Sequence, residues 1–200
     1  MTDHGQLPAL VQRAQELAVA EGFPLTRAQA AAGQASASLP GTGRFLAVLA
    51  ARCADQTIAE LGTGVGIGTA WLASSMPASC RLVTVEVDER LAAAARQLFA
   101  ADDRVEVITG DASELAARGP FALLFADCGV RDQAAFDGWV SLLAPGGTIV
   151  MDDVTPLAQA PLAPDSDDLK RTFFTSPRLV STEVVLPDLR NSLLVGTARA

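Results

Sequence analysis

The segment Ile58-Ala59-Glu60-Leu61-Gly62-Thr63-Gly64-Val65-Gly66-Ile67-Gly68 decides the fold. A short apolar run with strand character ends in glycines at every second position and leads into a helix-compatible stretch, Thr69 to Ser75. Glycine permits positive φ and lets a ligand approach the main chain, and the helix that follows points its free N–H groups at that ligand. A plain turn needs one or two glycines. Four of them between a strand and a helix mark a cofactor loop.

Outward from this loop, strand-like runs alternate with alanine- and leucine-rich segments, the rhythm of βα units stacked into a parallel sheet. The patterns predict strands over 57–61, 81–87, 105–109, 122–127 and 148–152, with helices near 69–75, 89–101, 112–117 and 132–143. Several of the strands are apolar throughout, which implies helices on both faces of the sheet. The rhythm breaks after a Pro-rich loop over 154–164. A short helix at 167–174 then precedes strands at 179–186 and 192–198, whose link, Pro187-Asp188-Leu189-Arg190-Asn191, is too short for a parallel crossover and must form an antiparallel hairpin. Before the loop, Leu7, Leu10, Val11, Ala14, Leu17 and Ala18 sit at helical spacing, and Phe45, Leu46, Leu49, Ala50 and Cys53 form a second one-sided helix. The expected organisation is one α/β domain over 1–200. Residues 1–54 form a helical N-terminal preface, and 55–200 form a doubly wound, Rossmann-like, mostly parallel seven-stranded sheet with an antiparallel last strand at its edge.

Composition narrows the classes further. With 200 residues, half of them hydrophobic, the chain can bury one substantial core and has no room for a large second domain. It contains no apolar run of about 18 residues, and its first residues lack the basic-then-apolar order of a secretory signal, so no membrane association is expected. Cys53, Cys80 and Cys128 are odd in number and widely spaced, which fits neither a disulfide framework nor a zinc site and points to a reducing, cytoplasmic setting. A formal charge of −8 offers no basic face, so nucleic acid is not the expected partner. There is no tyrosine, and the only histidine is His4, so a catalytic base must be an acid, Lys170, a cysteine or a metal-bound group.

Two acids flank the loop. Glu60, two residues before Gly62 at the end of the first strand, suits a ligand bearing an ammonium group and a sulfonium charge and is awkward beside a pyrophosphate. Glu86 ends the second strand 18 residues after Gly68, about where such sheets place the acid that accepts from ribose hydroxyls. NAD and S-adenosylmethionine both carry that ribose, so Glu86 supports a nucleoside without choosing between them, and a helix-capping role is its alternative.

Glu60-Leu61-Gly62-Thr63-Gly64, Val85-Glu86, Thr109-Gly110-Asp111-Ala112, Phe125-Ala126-Asp127 and Leu143-Ala144-Pro145-Gly146-Gly147 occur in that order. In this the chain resembles the class I S-adenosylmethionine-dependent methyltransferases, and more narrowly the cation-dependent O-methyltransferases of the catechol and caffeoyl-CoA type. The resemblance spans roughly residues 40–200. It implies transfer of a methyl group from S-adenosylmethionine to a hydroxyl of a small molecule, with divalent-metal help. It implies a methionine site on the turn of Gly62, Thr63, Gly64, Gly66 and Gly68, with Glu60 beside it and the ribose on Glu86. Asp111 and Ala112 would border the adenine. Asp127 would lie by the cofactor's amino acid end, take the catalytic role and double as a metal ligand with Asp152 and Asp153. Three carboxylates at neighbouring strand ends would repel unless a cation or protonation relieves them, and oxygen-only ligands select a hard ion such as Mg²⁺ or Ca²⁺.

The sequence departs from that family twice: Asp153 stands where an asparagine is usual, and Val130 where a lysine would act on the substrate hydroxyl. Asp132 is the candidate stand-in, or the metal alone acidifies the acceptor. A cofactor-binding protein without catalysis and an NAD(P)-dependent oxidoreductase are the alternatives. Cys128 is expected to be a small buried residue, Trp71 and Trp139 core, and the 154–164 loop a substrate lid. The preface has an apolar face for covering the site or for a homodimer contact.

Overall fold

The computed structural model describes residues 6–26, 28–32, 34–130, 132–154, 168–186 and 192–199, with backbone alone for Asp153, Asp168 and Leu169. Helices α1 (Ala9–Ala20) and α2 (Pro40–Ala50) precede the sheet. Strands β1 (Thr57–Leu61), β2 (Arg81–Glu86), β3 (Val105–Thr109), β4 (Phe121–Ala126) and β5 (Leu143–Val154) then alternate with α3 (Ile67–Ser75), α4 (Glu89–Phe99), a 3₁₀ turn (Ala112–Leu115) and α5 (Gln133–Ser141). Helix α6 (Asp168–Thr175) leads to the hairpin of β6 (Leu179–Val185) and β7 (Ser192–Ala198). The strand order is β3-β2-β1-β4-β5-β7-β6, a seven-stranded sheet. Strands β1 to β5 are parallel, β7 is antiparallel to both β5 and β6, and the reversal of order around β1 opens a crevice at the carboxyl ends of β1 and β4.

The chain thus adopts the doubly wound sheet with an antiparallel last strand, and one detail differs. The antiparallel strand β7 inserts between β5 and β6, so the edge strand β6 runs parallel to β1–β5. The hairpin could be inferred from its short link, but which arm meets β5 could not. The region 112–117 makes only a 3₁₀ turn because Asp111 caps Ser113 N at 2.8 Å and Gly119-Pro120 follow too soon for a longer helix. Strand β5 begins at Leu143, earlier than the apolar pattern implied, because Leu143 already pairs with Phe121 ahead of an irregularity in the register.

Apolar side chains bury both faces. On one, Leu46, Ile58, Leu72, Leu82 and Phe125 pack beneath α1–α4; on the other, Leu61, Leu124, Phe136, Ile149 and Phe173 pack beneath α5 and α6. Trp71 and Trp139 are both buried, as their helical positions predicted. Among the described residues no helix is long and apolar enough to cross a membrane. Helices α2 and α3 approach closely at Gly43, where a Cβ would come within 2.2 Å of the Trp71 ring. Gly43→Ala should therefore cost about 1–3 kcal/mol by overpacking, read as a lower urea midpoint with an unchanged slope.

Candidate functional site

Strands β1, β2 and β4 end together, and their backbones set the geometry of the glycine loop. Gly62 N and Thr63 N both donate to Val85 O, at 3.0 and 3.2 Å, and Asp127 N donates to Leu61 O at 2.9 Å. Gly62 (φ 93°), Gly64 (φ 53°) and Gly66 (φ 93°) all lie in the left-handed region, which explains glycine at alternate positions. At Gly62 space is limiting as well, since a Cβ would lie 2.6 Å from the Asp127 carbonyl oxygen. Gly66 is the N-cap of α3, so the first N–H groups of that helix face the loop.

Glu86 is buried and turned toward this loop. Its Oε2 accepts from Gly64 N at 2.7 Å and its Oε1 from Asp88 N at 3.0 Å. Capping of α4 falls instead to Asp88, which accepts from Arg90 N and Leu91 N. A cleft of about 880 Å³ opens here, walled by Val87, Ala112, Trp139 and Leu142 and floored by Gly62, Glu86 and Asp127. Ala35, Gly62, Glu86 and Asp127 continue into a narrower recess against Phe23, Ser38 and Gly68. A separate cavity of about 450 Å³ lies at the opposite end of the sheet beside Arg52, Gly146 and Thr197, remote from every acid singled out above.

The structure brings Gly62, Thr63, Gly64, Gly68, Glu86, Asp111, Ala112 and Asp127 onto this cleft. Gly66 shapes the loop from behind, against Phe99. Glu60 does not line the cleft; it is 1% exposed beneath the loop. Thr69 Oγ1 and Thr84 Oγ1 donate to its Oε2, the latter at 2.7 Å, and among the described residues its Oε1 has no hydrogen-bond partner. A Cβ at position 68 would lie 2.4 Å from that oxygen, so Gly68 is the space into which the carboxyl fits. Burial, outweighing the two threonine hydroxyls and reinforced by the Glu86 charge, pushes the Glu60 carboxyl up to about 7.

Sequence reading offered the preface as a cover for the site but missed the residues that reach it. Ser38 donates to Asp127 Oδ2 at 2.9 Å, tying a segment 89 residues upstream to the end of β4, and Phe23 covers Gly64. Nothing local in Ala35-Ser36-Ala37-Ser38 signals such a contact. Cys128 departs from its expected burial and sits exposed at the cleft. Desolvation, and then the Asp127 and Glu86 charges, push its thiol up to about 11, which disfavours the thiolate that nucleophilic chemistry needs. Asp132 is the N-cap of α5, accepting from Ala135 N at 2.8 Å, and Val130 packs against the core. Asp127 and Asp152 follow directly on the paired residues Ala126 and Met151 of adjacent strands. Among the described residues no group of three His, Cys, Asp or Glu side chains gathers to hold a metal, and the Asp153 side chain, His4 and most of the 154–164 loop fall outside the description.

Residues 59–154 match the methyltransferase domain family. The chain is 32% identical over 138 residues to a catechol O-methyltransferase of Niastella koreensis, covering 64% of this chain and 62% of that protein. It is 34% identical over 155 residues to a catechol O-methyltransferase of Mycobacterium tuberculosis, covering 74% and 66%. The matched region thus spans just under two thirds of these relatives' length. The crystal structure of cofactor-bound Rv0187 from MTB superposes with a TM-score of 0.77 at 26% identity, covering 99% of this chain and 93% of that one. By fold and by sequence, the chain is similar to the class I methyltransferases. The relatives it resembles within that class are O-methyltransferases.

The buried carboxyl makes a pH prediction. Between about pH 4.5 and 7 the folded ligand-free protein holds a proton on Glu60 that the unfolded chain has released, so stability falls as pH rises through that window. The full effect is about 3 kcal/mol. Glu60→Gln should flatten this slope and raise the melting temperature of the ligand-free protein at pH 8, as measured by thermal unfolding across pH.

Proposed function

We propose that the chain transfers the methyl group of S-adenosylmethionine to a hydroxyl of a small molecule. The observation that carries this reading is the single cleft in which the glycine loop, Glu86 and Asp127 meet apolar walls. Glu86 is placed to accept from ribose hydroxyls, and the apolar wall of Val87, Ala112 and Trp139 suits an adenine ring. Glu60, behind the loop, favours a cationic ligand: a sulfonium and an ammonium nearby offset the cost of ionising the buried carboxyl, whereas a pyrophosphate would add to it. The relatives' catechol activity makes phenols with neighbouring hydroxyls the first acceptor class to test.

The donor chemistry at the ends of β4 and β5 fits a divalent cation. Asp127, just past the end of β4, and Asp152 on the adjacent β5 would offer carboxylate oxygens, and Mg²⁺ is commonly held by one or two carboxylates with water and substrate completing its shell. Ca²⁺, which takes 6–8 oxygens, fits this pair less well. A bound cation would acidify the acceptor hydroxyl, the task left open by Val130. Asp127, steadied by Ser38, then orients the acceptor oxygen toward the methyl group, and the cleft walls exclude water from the displacement. A non-catalytic cofactor binder is the second reading, favoured by the absence of a lysine at 130 and by the capping role of Asp132.

Transfer of labelled methyl to catechol with Mg²⁺ tests both. Turnover should be lost in chelator and restored by Mg²⁺, and Asp127→Asn should lower kcat/KM by at least about 100-fold. Full turnover in chelator would remove the metal, near-normal rates in Asp127→Asn would move the site, and tight cofactor binding without turnover on any phenol would favour the binder.

A further inference from the structure

The pairing of β5 with β7 is regular up to Met151↔Leu194 and resumes at Val154↔Ser192, so three steps on β5 oppose two on β7. The extra residue falls at Asp152-Asp153. Such bulges re-aim side chains beside active sites, and they need something to hold them, because the ladder is interrupted there.

A polar trio, two of its members buried and the third partly so, lies where the ladder resumes. Ser192, fully buried, places its Oγ 3.1 Å from the Val154 carbonyl and 2.6 Å from Glu183 Oε1 on β6, so its one proton bridges to one oxygen or the other. Glu183 Oε1 in turn lies 3.7 Å from the ammonium of Lys170 on α6. Lys170 is the chain's only lysine and is 1% exposed. An ion pair taken out of water rarely contributes net stability, and an apolar residue would fill the space at lower cost, so its place in this core speaks for a positional role. Because α6 is the element that returns the chain from the end of β5, the trio fastens β5, β6, β7 and α6 at one point.

We propose that Lys170, Glu183 and Ser192 are positioning residues that fix the β5 bulge and thereby set the carboxylate of Asp152 for the divalent cation. The assignment rests on the metal reading given above. None of the three is placed on the cleft, so they act through the backbone at Val154 and leave the cofactor's site untouched.

The test measures Mn²⁺ affinity by electron paramagnetic resonance, and S-adenosylhomocysteine affinity by calorimetry, on the full chain. Ser192→Ala and Lys170→Met should each weaken Mn²⁺ by at least about tenfold, the usual cost of losing a partner behind a ligand, with S-adenosylhomocysteine affinity within about twofold of wild type. Ser192→Thr, which keeps the hydroxyl, should restore Mn²⁺ affinity, and this rescue distinguishes positioning from a general loss of folding. Wild-type affinity for Mn²⁺ in both variants overturns the assignment alone. Parallel loss of both ligands without rescue by threonine also overturns it, and a wild-type protein that takes up no Mn²⁺ overturns it together with the metal reading.

Discussion

Three strand ends converge on one residue that has no side chain. At Gly62 the main chain donates to the Val85 carbonyl of β2, turns through a left-handed conformation and passes the carbonyl of Asp127 at a distance that excludes a Cβ. That close approach joins β1 to the ends of β2 and β4, and so brings Glu86 and Asp127 to one cleft. A larger residue there would separate the strands whose ends make the site.

A second constraint lies directly beneath. Glu60 is a carboxyl held almost out of contact with water, with two hydroxyls on one oxygen and none on the other. A fold optimised for stability alone would not keep it. Its cost makes sense if a positive ligand arrives above it, an example of a site in which function is held at the expense of stability. Gly68 belongs to the same arrangement, since any side chain there would displace the Glu60 carboxyl.

Much of this was legible in the residues. The alternate glycines, the continuously apolar strands and the five-residue link at 187–191 were enough for the doubly wound sheet and its hairpin, because each is a local signal with a single cheap geometric solution. The position of β7 inside β6 was not legible, since strand order in a hairpin depends on which arm buries more against β5. Glu86 and Asp111 both line the cleft because strand ends fix their height. Glu60 was read as facing the ligand, yet it lies behind the loop; alternation along a strand gives the face but not what the following turn covers. Ser38 and Phe23 escaped notice because their role depends on contacts far apart in the chain. Cys128 reads as a small apolar residue by type, but its place just after a strand end puts it on the cleft.

The proposed function requires this cleft to hold a sulfonium-bearing nucleoside above a buried acid. Isothermal titration of the protein at pH 8 with S-adenosylmethionine, and in parallel with NADH, tests it most directly. Saturable heat at a single site is expected for S-adenosylmethionine and none for NADH. Heat from NADH alone, or from neither ligand, would contradict it.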